Sequence, residues 1–131
     1  MIGLDTNVLI RYLVQDDPTQ SARATAIVEK RLTPSNRGFV STVAVVEAVW
    51  VLERVYRLTR DQVADAIERI LQIDVLIVEN EAEVFTAMAV LREGLGSFAD
   101  AMIAALGAKA GCSHTLTFDR AALRIPSIKP A

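Results

Sequence analysis

The sequence has one cysteine, one histidine and one tryptophan, and aromatic residues make up only 5% of it. With Cys112 alone, no intramolecular disulfide can staple the fold. Cys112 and His114 are too few to build a zinc site of the Cys/His type. A nucleophile–histidine relay would rest wholly on His114, and no local nucleophile motif surrounds it. Cys112, in KAGCSHTL, reads as a small buried hydrophobe more readily than as a reactive thiol. No apolar run is long enough to span a bilayer. The start MIGLDTNVLIRYL lacks the basic stretch and small-residue cleavage site of a signal peptide. These absences lead us to expect a soluble, cytoplasmic protein. The net charge of −2 and pI near 5.4 lack the footprint of a generic nucleic-acid binder. A bound divalent cation would change that local field.

What is present is apolar and patterned. At 131 residues and 52% apolar, the chain suffices for one domain, 1–131, with a sizeable core. Met1–Leu4 reads as a first strand, and Asp5-Thr6-Asn7 offers capping side chains to the helix VLIRYLV. Asp17, Pro18 and Gln20 restart a helix to about Leu32. FVS reads as a second strand, followed by a helix from Thr42 to about Tyr56. Thr59 and Gln62 open another, reaching about Gln72. The VLIV run at Val75–Val78 is a buried strand. Asn80 and Glu83 cap a helix to about Glu93, and SFADAMIAALGAKAG is a helix closed by Gly111. HTLTF is a strand, and ALRIPSI a last short turn and strand. Short apolar strands alternating with helices imply an α/β domain with parallel strands. The segment from Thr42 to Gln72 exceeds a simple crossover and is expected to project as a helical hairpin.

Four carboxylates occupy places that fold logic alone does not require. Asp5 follows the first strand, at the carboxyl edge where open parallel sheets bind ligands, though it serves equally as a helix N-cap. Glu47 is the one charge in TVAVVEAVWVL; its helical neighbours Val43, Ala44, Trp50 and Val51 are apolar, and burial there would be costly, the plainer reading being a glutamate at a helix surface or one paired with an arginine. Asp100 is the one charge between Ser97 and Ala108, and also suits the first turn of a helix. Asp119 ends HTLTF and also suits a turn. Carboxylates converging on one edge would repel, and a hard cation such as Mg²⁺ or Mn²⁺ would relieve that conflict. Such an ion also suits phosphodiester hydrolysis.

The blocks GLDTNVLIRYL, STVAVVEAVWVL, FADAMIAALGAKAGC and TLTFDRAA resemble the four conserved blocks of PIN-domain ribonucleases, especially VapC-like toxins of type II toxin–antitoxin systems. The resemblance runs from Met1 to about Ile125. It implies a three-layer α/β/α fold with a mainly parallel sheet of about five strands. It implies a metal site of Asp5, Glu47, Asp100 and Asp119, with Thr6, Asn7 and Thr117 as supporting polar residues. It further implies a Mg²⁺- or Mn²⁺-dependent endoribonuclease, a homodimer and a cognate VapB-like antitoxin. Many relatives carry a further acid where this chain has Ser97, which bears on a second metal ion.

Other residues are less committed. Arg11 lies one turn beyond Asn7 and reads as an RNA-phosphate contact or a solvated helix face. Arg54, Arg57 and Arg60 cluster at the tip of the expected hairpin. Trp50 reads as core or dimer-interface packing, and Met88 and Met102 as core. A non-catalytic PIN-like binding module is the alternative and predicts no metal-dependent cleavage. A phospho-acceptor receiver domain would need an acidic pair after the first strand, where Asp5 stands alone.

Overall fold

A computed structural model describes residues 1–131. Its elements in order are β1 (Ile2–Gly3), α1 (Thr6–Val14), α2 (Pro18–Ala26), β2 (Gly38–Val40), α3 (Thr42–Arg54) and α4 (Arg60–Leu71). Then come β3 (Leu76–Val78), α5 (Glu81–Glu93), α6 (Phe98–Lys109), β4 (Thr115–Thr117) and β5 (Ile128–Pro130). A 3₁₀ helix, Arg120–Arg124, joins β4 to β5. The α/β architecture with parallel strands is as the sequence implies. The sheet is not continuous, however. β1, β2 and β3 form one parallel sheet in that order, with Ile2 beside Gly38 and Gly38 beside Leu76. β4 and β5 form a separate parallel pair, with Thr115 beside Ile128. Strand length accounts for the split. β1 has two residues, and the flanking bonds Ile2 N–H to Arg37 O and Leu4 N–H to Phe39 O both go to the β2 side.

Local chemistry sets the helix ends. The Asp17 carboxylate accepts from the Gln20 amide at 2.9 Å, with Pro18 at the first helical position. Thr59 and Gln62 complete a reciprocal box at the start of α4: Thr59 Oγ1 accepts from Gln62 N–H, and Gln62 Oε1 from Thr59 N–H. α5 stops at Gly94, whose φ of 73° suits a residue without Cβ; a Cβ there would also strike the Arg60 guanidinium. Three capping details differ from expectation. Gln20 spends its side chain on Arg11 rather than on the box. Asn80 is left-handed and does not cap α5; its amide donates to Thr42 instead. The helix expected to reach Leu32 ends in a π-helical turn, Ile27–Arg31.

The core is one large cluster fed by α1, α3, α4, α5 and α6, with a small satellite of Tyr12, Ala24 and Val28 where α1 meets α2. α3 shows how. Ala44, Ala48 and Leu52, with Val45 and Val49, make an i, i+4 stripe that is buried. Burying each Val or Leu contributes about 1.5–3 kcal/mol over leaving it exposed. Val63, Ala64 and Ile67 of α4 are fully buried and α4 packs on α5, so the α3–α4 pair does not project. Met88 and Met102 are core, as expected, but Trp50 is 55% exposed and Cys112 is on the surface. Cys112 lies beyond the end of α6, in the turn at Gly111, where no apolar layer covers it.

Candidate functional site

Parallel pairing brings the carboxyl ends of β1, β2 and β3 to one edge, where Asp5, Ser41 and Glu79 follow the strands. Asp5 takes the N-cap position of α1, with φ −78° and ψ 158°, yet its side chain caps nothing. The capping reading therefore accounts for its backbone and leaves its exposed carboxylate uncommitted. Thr6 beside it is buried at 4%, and Asn7 is exposed.

Glu47 sits in the second turn of α3 and is exposed, not buried. Its neighbours explain why. Val43 is 75% exposed, Val46 and Val51 are half-buried, and together with Thr42 and Trp50 they line an open groove of about 680 Å³ around Glu47. The apolar flanks lie partly on the outer face of α3, so the burial cost inferred from sequence does not arise.

Asp100 lies in the first turn of α6 and is half-buried. Ser97 Oγ accepts from its backbone amide at 3.1 Å, satisfying one orphan donor of the helix, and the Asp100 carboxylate bonds to nothing in return. Asp119 is held more firmly. Its amide donates to Thr117 Oγ1 at 3.0 Å, and its Oδ1 accepts from the Ala121 amide at 2.9 Å at the start of the 3₁₀ helix. Thr117 thus fixes the turn that presents Asp119, and one carboxylate oxygen of Asp119 remains without a protein partner.

None of the four acids makes a salt bridge; the ion pairs of the protein use Asp16, Asp65, Glu68 and Glu83. The segments carrying them touch in sequence. α1 packs on α3, α3 touches α6, and Gly96, just before α6, lies against Ile125, at the end of the 3₁₀ helix that Asp119 caps. The structure does not draw three of them into one ligand group.

Sequence reasoning missed a polar relay at the same edge. Glu79 Oε1 accepts from the Thr42 amide at 2.9 Å, at the N-terminus of α3, and this bond holds the Glu79 carboxyl below its usual range. Asn80 Nδ2 donates to Thr42 Oγ1 at 2.9 Å, and Lys109 Nζ reaches Asn80 Oδ1 at 2.6 Å and Glu83 at 3.3 Å. Glu79 gave the same signal as Asp5, an acid directly after an apolar strand run. Its carboxylate is committed to the α3 terminus, whereas that of Asp5 is uncommitted.

Arg11 is also committed. Its Nε donates to Gln20 at 2.8 Å, and one Nη donates to Asp16 at 3.1 Å and to Tyr56 Oη at 3.0 Å. Tyr56 in turn donates to Asp16 at 2.8 Å. Of the three arginines assigned to a hairpin tip, Arg60 packs over Gly94 and Arg54 lies 5.9 Å from the Trp50 ring centre.

A family model of the PIN domain matches residues 2–127. The chain belongs to the PIN domain family. No curated protein matches it. PIN domains are nuclease-type domains, typically metal-dependent, and their substrates are nucleic acids. No helix of this PIN domain is long and apolar enough to cross a membrane. Its donor set suits the family's divalent ion in one respect and not in another. Carboxylates without cation partners fit a hard ion that binds through one or two of them and keeps its waters. They do not form a closed protein cage.

Proposed function

We propose that this PIN domain is a metal-dependent endoribonuclease, the toxin of a VapC-like toxin–antitoxin pair. The observation that supports the nuclease reading is the set of four acids without cation partners, three on α3 and the segments packed on it and the fourth, Asp119, beyond β4, which packs on α6. Asp5 and Asp100 are the residues to hold Mg²⁺ or Mn²⁺ most directly. Glu47, set further along its helix, orients the attacking water, and Asp119 supports the water network through its remaining oxygen. Thr117 fixes Asp119, while Thr6 and Asn7 support the turn after β1. Bound there, the ion supplies charge neutralisation for a scissile phosphodiester and acidifies water. The protein's own contribution is positioning: rigid helix starts at Ser41 and Ser97 hold their acids without adding a competing cation.

The toxin reading rests on the four motif blocks, and a VapB-like antitoxin is its implied partner. A homodimer belongs to the same reading, on the same motif blocks. The test is digestion of cellular RNA with Mg²⁺, Mn²⁺ or EDTA, with growth followed on expression. Cleavage only with metal, lost in Asp5→Asn, is the expected result. A folded protein that binds RNA without cutting it would establish the non-catalytic alternative.

A further inference from the structure

A second open groove, of about 280 Å³, lies between α1 and α2. It begins at Asn7, two residues from Asp5, and its polar lining comes from Asn7, Arg11, Gln20 and Arg23. No carboxylate lines it. Its apolar lining includes Val8 and Ile27, and Ile27 begins the π-helical turn that follows α2. The two arginines differ. Arg11 is tied to Gln20, Asp16 and Tyr56, whereas Arg23 is exposed and enters no salt bridge or side-chain hydrogen bond.

We infer that this groove takes the nucleotide next to the scissile phosphate, with Arg23 as its phosphate contact. The inference rests on the ribonuclease reading. Arg11 and Asn7 are four residues apart on α1, about 6 Å along the helix axis, so the groove leads away from the Asp5 edge along α1. An anion is the chemical match to a lining of two amides and two guanidiniums in which Arg11 is already paired with Asp16 and Arg23 is not paired. Val8 and Ile27 offer an apolar wall to a base or sugar. Size decides against a partner helix, which needs a channel of about 10–12 Å across with its side chains. At the lower edge of small-ligand sites, the groove suits a single nucleotide unit. Arg11 acts here as the positioned wall and Arg23 as the cation still available to a ligand.

The experiment measures binding of a short fluorescein-labelled single-stranded RNA of mixed sequence, in EDTA, by anisotropy across a salt series. Metal-dependent cleavage is followed in parallel. Arg23→Gln should weaken binding about tenfold. It should lower the salt slope by about 0.7, as expected for one lost phosphate contact on a single strand. The loss should be uniform across sequences and appear in KM rather than kcat. Arg23→Lys should recover most of the affinity. If the wild type cleaves RNA with metal while Arg23→Gln binds and cuts as it does, the groove assignment falls and the nuclease reading survives. If the wild type neither binds nor cleaves, both fall. Loss of affinity for a polyglutamate peptide with RNA binding intact would overturn the nucleotide in favour of an acidic protein segment.

Discussion

Charged side chains at the α1–α2 elbow and at the sheet edge are handled in opposite ways. At the elbow, Asp16 receives both Arg11, at 3.1 Å, and Tyr56, at 2.8 Å. Tyr56 lies just past α3, so the cluster ties the α1–α2 elbow to the α3–α4 turn. Asp5 at the sheet edge, and Glu47 and Asp100 in the early turns of α3 and α6, have no cation partner and no capping duty. Exposure does not separate the two groups, since Asp16 and Asp5 are both exposed. The difference is whether the chain supplies a partner. A charge with an internal partner serves the fold, whereas Asp5 and Asp100 are left to solvent or to a ligand.

That contrast is broken most severely at the edge. Asp5→Asn and Asp100→Asn should each lower metal-dependent RNA cleavage by about a hundredfold or more, the scale of losing one positioned electrostatic group. Thermal unfolding should be unchanged or slightly raised, because neither carboxylate bonds within the protein. At the elbow, Tyr56→Phe should do the reverse. It removes the hydroxyl between Arg11 and Asp16 and should cost about 1 kcal/mol in chemical denaturation, with cleavage preserved.

Between these lies Gly94, which belongs to neither group. Gly94→Ala forces a Cβ into left-handed backbone and into Arg60. It should destabilise by about 1–2 kcal/mol from the backbone alone, read as a lower Tm. The smallest effect is a pH dependence at Glu79. The Thr42 amide lowers the folded pKa of Glu79. Its contribution is therefore fully present above the unfolded value of about 4.3 and is lost as pH falls through the lower folded value. Asp16, lowered by Tyr56 and by Arg11, fades in the same direction. Glu79→Gln should flatten the acid side of a stability–pH curve measured from neutral pH downward.

Much of this was legible in the residues. Capping signals such as Asp17-Pro18 and Thr59…Gln62 act within one turn, so the helix starts they mark are where the structure has them. Parallel strands followed from helices alternating with short apolar runs. The split of the sheet was not legible, because a strand of two residues leaves ladder bonding to tertiary placement. Which face of α3 is buried was also hidden. Val43, Val46, Val49 and Val51 are alike in sequence, and only packing against α1 and the core turns Val49 inward and Val43 outward. The same ambiguity made Glu47 look buried. At the edge, sequence marked Asp5 and Glu79 alike; only the bond to Thr42, made across thirty-seven residues, separates them.

Under the proposed function, Asp5 and Asp100 hold a divalent cation. The most direct measurement of that cation is the thermal unfolding of the wild type and of Asp5→Asn with and without Mn²⁺. A cation bound by the folded state raises Tm in proportion to its occupancy. Mn²⁺ should raise the Tm of the wild type and leave that of Asp5→Asn almost where it was. Equal shifts in both proteins, or none in the wild type at saturating Mn²⁺, would contradict the account.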